Sequence, residues 1–112
     1  MTNITILYDG ENVTAFKVSG HSGYGTSGND IVCAAISAIT QNACVAICEV
    51  LKINASVKID EESGFLSLVL PKNLNKEKNN QAQTILKAMQ KSLEYVQNDY
   101  KKYVKVEVQN EI

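Results

Sequence analysis

Residues 31–51, IVCAAISAITQNACVAICEVL, decide how the rest of the chain is read. A run this long and this apolar has the length of a bilayer span. Ser37, Thr40, Gln41, Asn42 and Glu49 interrupt it, however, and no topogenic flank surrounds it. It reads instead as a core helix, apolar over most of its circumference, which has to be covered on more than one side. A sheet covers one side. In a chain of 112 residues, a second subunit is the expected cover for the other.

The sheet comes from both sides of that helix. Residues 3–8 (NITILY) and 13–18 (VTAFKV) are β-prone runs separated by Asp9-Gly10-Glu11-Asn12, a hairpin signal. Ile4, Ile6 and Tyr8 share one face of the first run, and Thr14, Phe16 and Val18 one face of the second. A second hairpin runs from Ser56 to Asp60, turns over Glu61 to Gly64 and returns from Phe65 to Leu70. Val57 and Ile59 point inward there, Leu66, Leu68 and Leu70 align on one face, and Pro71 ends the strand. From Asn79 to Tyr100 a second helix is expected, with a stripe at Ala82, Leu86, Met89, Leu93, Val96, Tyr100 and Tyr103. So short a stripe fits a helix lying on a sheet better than a coiled coil. YVKVEV, residues 103–108, alternates as a last strand. The expected fold is a single α+β domain over residues 1–112, a two-layer sandwich of order ββαββαβ with the long apolar first helix against the sheet.

Composition narrows the function. The net charge is −1, and all eleven basic residues are lysines, so bidentate arginine clamps on phosphate or guanine are missing. No direct nucleic-acid partner is expected. The opening MTNITILYDGEN has no basic n-region and no apolar h-region, and three cysteines do not make a disulfide framework. A reducing cytoplasmic setting, with no membrane partner and with thiols free for chemistry, is the expectation.

The chemistry concentrates in a loop of residues 19–29, which holds Gly20, Gly23, Gly25 and Gly28 and the only histidine, His21. Asn29 and Asp30 are both good N-caps, so the helix should begin here. With Asp30 as the cap, Cys33 lies in the first turn, where free N–H groups and the macrodipole favour a thiolate. The N–H groups near Val32 and Cys33 are candidate donors for an oxyanion. A lone cysteine is usually a small apolar residue and a lone loop histidine is usually solvated. Their combination within thirteen residues makes Cys33 a candidate nucleophile and His21 its base.

Two other patterns point nowhere. Cys33, Cys44 and Cys48 lie within about 60° on one helix face, but Cys33 is about 16 Å along the axis from Cys44. Cys44 and Cys48 alone offer two ligands with no second histidine, so they read as core thiols, and neither a metal nor another cofactor is expected. Gly23-Tyr24-Gly25-Thr26-Ser27-Gly28 satisfies G-x-G-x-x-G. A dinucleotide site needs a parallel βαβ unit and an acid ending the next strand, whereas here the preceding strand belongs to a hairpin.

The stretch GHSGYGTSGNDIVCAAIS, Gly20 to Ser37, resembles the signature of the ribosomal-processing cysteine proteases, the Prp family. That signature has Gly-His, a loop rich in glycine and small residues, and then Gly-x-Asp-Ile-Val-Cys-Ala. Ser22 stands where alanine is more usual. The resemblance implies that His21 is the catalytic histidine and Cys33 the nucleophile. Gly20, Ser22, Gly23, Gly25, Gly28 and Asp30 would then shape the substrate-binding loop. It further implies a homodimeric endopeptidase that removes the N-terminal extension of a large-subunit ribosomal protein, number twenty-seven, after paired phenylalanines and before alanine. The competing reading is a non-enzymatic, ribosome-associated module that uses loop 19–29 to bind peptide or RNA.

Overall fold

Alternating β-branched and aromatic residues form the first hairpin, β1 (Thr2–Asp9) and β2 (Asn12–Ser19). The structure, a computed structural model, describes residues 1–26 and 30–111. Ile4 and Ile6 face the core as expected, but the phase of β2 slips. Leu7 pairs with Ala15 and Tyr8 with Val13, which leaves Thr14 as the extra residue of a β-bulge. Val13, not Thr14, is therefore the buried residue at this point. Gln83 holds the bulge. Its side-chain carbonyl accepts from the Val13 N–H at 2.7 Å and its amide donates to the Val13 carbonyl at 2.8 Å.

The second hairpin is β3 (Ser56–Asp60) and β4 (Phe65–Val69). Leu66, Leu68 and Leu70 are buried, as the alternation predicts. Ile59 is not; it is 57% exposed. The sheet order is β3-β4-β2-β1-β5, so β3 is an edge strand, and Ile59 faces a cleft instead of the core. The last strand, β5 (Val104–Asn110), pairs parallel with β1 from Thr2↔Val104 to Tyr8↔Asn110. Element order and class are those expected, ββαββαβ and α+β.

α1 (Ile31–Val45) continues into a π-helical turn, Ala46–Val50. Its Val32, Ile36, Thr40, Ala43 and Ile47 side is buried against the sheet and α2, so one side of the stretch long enough for a membrane belongs to the core. Ile31, Val45 and Val50 on the opposite side are exposed. α2 (Lys76–Asp99) starts three residues before the expected Asn79, because Asn75 caps it by accepting from the Lys78 N–H at 2.8 Å. Ala82, Leu86, Met89 and Leu93 share the core with Ile4, Ile6 and Ile47, which makes the stripe a packing face. Tyr103 lies beyond the helix, in the turn to β5.

Candidate active site

The first turn of α1 is built around Asp30. As N-cap, one of its oxygens accepts from the Val32 and Cys33 N–H groups, each at 3.0 Å, while the other accepts from the Ser22 hydroxyl. Those two N–H groups, expected to be free for an oxyanion, are therefore already occupied. An acidic cap satisfies the donors that a bare helix end would offer. Asp30 itself is held at about 2. Burial pushes its carboxyl up, but hydrogen bonds from the Ser22 hydroxyl, the Cys33 N–H and thiol, and the Gly25 N–H outweigh that. Because its value is depressed on folding, the stabilisation is present above its ordinary value of 3.8 and is lost as the pH falls toward 2. Asp30→Ala should cost about 1 kcal/mol near neutral pH. In urea unfolding followed by circular dichroism, that cost should shrink between pH 4 and pH 2. A cost independent of pH would show that the charged cap contributes nothing.

Cys33 is half-buried, and its Sγ accepts a hydrogen bond from the Ser22 N–H at 3.2 Å. Ser22 is 2% exposed, so the residue that departs from the usual alanine is the buried link between loop and helix. Its hydroxyl also accepts from the Tyr24 N–H at 3.1 Å. His21, on the next residue back, is exposed, with Nε2 2.9 Å from the Glu62 carbonyl in the β3–β4 turn. A carbonyl only accepts, so Nε2 carries the proton and Nδ1 keeps the lone pair. Among the described residues no hydrogen bond joins the ring to the thiol.

His21 and Cys33 line two adjoining clefts. One, of about 240 Å³, lies between α1, at Ile36 and Thr40, and the β3–β4 hairpin, at Ile59, Phe65 and Leu66. The other is walled by Gly23, Gly25, Asp30 and Glu62. Of the expected site residues, His21, Ser22, Gly23, Gly25, Asp30 and Cys33 thus converge. Gly20 joins them through a left-handed φ of +87° and a close approach to the Met1 carbonyl, 2.8 Å from where its Cβ would stand. Gly28 and the alternative cap Asn29 lie outside the described residues.

Sequence reading missed three contributors. Ser37 lines both clefts, and its place four residues after Cys33 puts it on the same helix face, a signal available from spacing alone. The Glu62 carbonyl is a backbone atom and leaves no trace in residue identity. Gly64, read only as a turn residue, has a φ of +68°, and a Cβ there would stand 2.5 Å from the Gly20 oxygen and 3.2 Å from His21 Cε1. Cys44 and Cys48 are half-buried against the core, and burial, with Cys48 beside it, pushes the Cys44 thiol up to about 11.

Comparison with known proteins bears on this site. A family model described as Cysteine protease Prp matches residues 1–105. The ribosomal processing cysteine protease Prp of Bacillus subtilis (strain 168) is 28% identical over 96 residues, 86% of each chain. That of Staphylococcus aureus (strain Mu50 / ATCC 700699) is 29% identical over 104 residues, 93% of each. The crystal structure of an essential ribosomal processing protease Prp from S. aureus, in complex with a covalently linked product peptide, superposes with a TM-score of 0.86. It is 26% identical and covers 97% of this chain and all of that one. A non-enzymatic module is thereby set aside, and the chain, matched over nearly its whole length, belongs to the cysteine protease Prp family and is a cysteine protease.

Proposed function

We propose that Cys33 and His21 cut the N-terminal extension from large-subunit ribosomal protein number twenty-seven. The observation that carries this reading is the pairing of a helix-start thiol and a tautomer-fixed imidazole on the walls of the same clefts. A ribosomal substrate is supported by the relatives, whose names say ribosomal processing, and by the S. aureus protein solved with a substrate peptide, 25% identical with a TM-score of 0.81.

In this mechanism Nδ1 of His21 takes the thiol proton and Sγ attacks the scissile carbonyl carbon. The C–N bond breaks as His21 returns the proton to the leaving amine, and the new N-terminus departs. Water then gives a proton to Nδ1, its oxygen displaces Sγ from the thioester, and the proton goes back to the thiolate. The Glu62 carbonyl holds the Nε2 proton throughout and steadies the imidazolium. The Ser22 N–H, which already donates to Sγ, passes from Sγ to the carbonyl oxygen. Asp30 keeps the helix start and Ser22 in place and stays off the imidazole.

Incubation of the purified protein with the extended ribosomal protein, read by intact mass, should give one cut, after paired phenylalanines and before alanine. Intact precursor after long incubation with active enzyme preparations would overturn the substrate assignment. The reaction belongs in the cytoplasm, where the thiol stays reduced, and needs no contact with nucleic acid.

The working form is a homodimer in which the Ile31, Val45 and Val50 side of the first helix meets a second copy. Sedimentation at micromolar concentration should give a mass near two chains, and Val45→Glu should move it toward one. A monomeric wild type would mean that solvent covers that face.

A further inference from the structure

Tyr24 sits between Gly23 and Gly25, in the loop segment that carries His21 and Ser22. Its flanking glycines have no side chains, so of these three residues only Tyr24 can anchor the loop with a side chain, alongside the Gly25 N–H held by Asp30. The ring meets two others edge-on: Tyr100 at 5.4 Å between centroids and 87°, and Tyr103 at 5.2 Å and 82°. Edge-to-face geometry is the favoured arrangement for aromatic pairs. The two partners are themselves fixed. The Tyr100 N–H donates to the Val96 carbonyl at 3.0 Å, Tyr103 donates to the Tyr100 carbonyl at 2.9 Å, and the Tyr103 carbonyl accepts from the Thr2 N–H at 2.9 Å. The turn between α2 and β5 is thus tied to both the helix end and β1.

From the other side of Tyr24 a continuous path leads to the sulfur. Its N–H donates to the Ser22 hydroxyl, that hydroxyl donates to Asp30, and the Ser22 N–H donates to Cys33 Sγ. The ring itself is not in the wall of either cleft that holds His21 and Cys33. We infer that Tyr24 is a positioning residue for peptide cleavage: held between Tyr100 and Tyr103, it keeps the Ser22 N–H beside the Cys33 sulfur, from where that donor reaches the carbonyl oxygen. The inference rests on Cys33 being the nucleophile, and Tyr24 acts through Ser22 without touching substrate.

The test uses the full-length protein and a synthetic peptide with paired phenylalanines before alanine, with Cys33→Ala alongside. Cleavage by wild type and none by Cys33→Ala establishes the premise; cleavage by the alanine control overturns it and the positioning role together. With the premise in place, Tyr24→Ala should lower kcat about tenfold and change KM less than twofold. Tyr24→Phe, which keeps the ring, should restore kcat. Tyr103→Leu attacks the same contact from the partner side, and its loss should not add to that of Tyr24→Ala. Far-UV circular dichroism identifies any variant that fails to fold, and the partner-side variant then carries the comparison. Unchanged kcat in Tyr24→Ala, no rescue by phenylalanine, or fully additive losses in the double variant would each overturn the inference.

Discussion

Replacing Cys33 by alanine should abolish cleavage, lowering turnover on the order of 10⁴-fold or more. No other thiol can take over. Cys44 is about 16 Å along the helix axis, half-buried, and held in its thiol form by a value raised to about 11. The fold should survive, because the Asp30 cap is made by backbone N–H groups of Val32 and Cys33, which alanine at position 33 retains. Steady-state cleavage with a thermal melt on the same preparation separates the two effects. A folded Cys33→Ala protein that cleaves at the wild-type rate would end the assignment of the nucleophile.

Gly64→Ala should be the second most damaging change, and its effect should fall on the histidine. The residue has a φ of +68°, where an L side chain costs about 1–2 kcal/mol. Beyond that strain, the added methyl would stand 2.5 Å from the Gly20 oxygen and 3.2 Å from His21 Cε1. Backbone on one side cannot yield cheaply, so Gly20 and His21 must shift and the Glu62 contact must change. A displacement near 1 Å at a catalytic group costs about 10²-fold in rate. Gly10→Ala is the control: its φ is +62°, but nothing lies within 4 Å of the added atom. Both variants should lose stability, Gly64→Ala the more because of its added clash, while only Gly64→Ala should lose activity per folded molecule. Equal activity in the two would mean that the β3–β4 turn does not position His21.

Why these two residues differ in legibility is instructive. The helix-start place of Cys33 was legible because its signals are local: a capping aspartate, helical periodicity and a glycine loop all fall within one short stretch. The hairpins and the α2 stripe were legible for the same reason. Gly64 could be placed in a turn from sequence, but its neighbour Gly20 is 44 positions away, and only the folded sheet brings them together. The bulge at Thr14 escaped similarly, since the amide that clips it at Val13, Gln83, is 70 residues downstream of Val13. The oxyanion donors were misjudged on a finer point: the same cap that starts the helix also consumes the N–H groups it was expected to leave open. Ile59 went wrong because alternation reports a strand's two faces without telling a central strand from an edge.

The parallel pairing of β1 with β5 has a consequence for how the chain acquires its structure. β1 finds β2 almost at once, across a tight turn, but its other flank stays open until residues 104–110 arrive. Loop closure over so many residues must be paid in entropy before the pairing gives anything back, which makes it a late event. Meanwhile the unpaired flank of β1, with Ile4 and Ile6 on one face, offers hydrogen-bonding groups to any other chain nearby. Nascent molecules are therefore most prone to misassembly just before their final strand docks, and crowding of partly made chains is the condition under which this enzyme should be hardest to produce in active form.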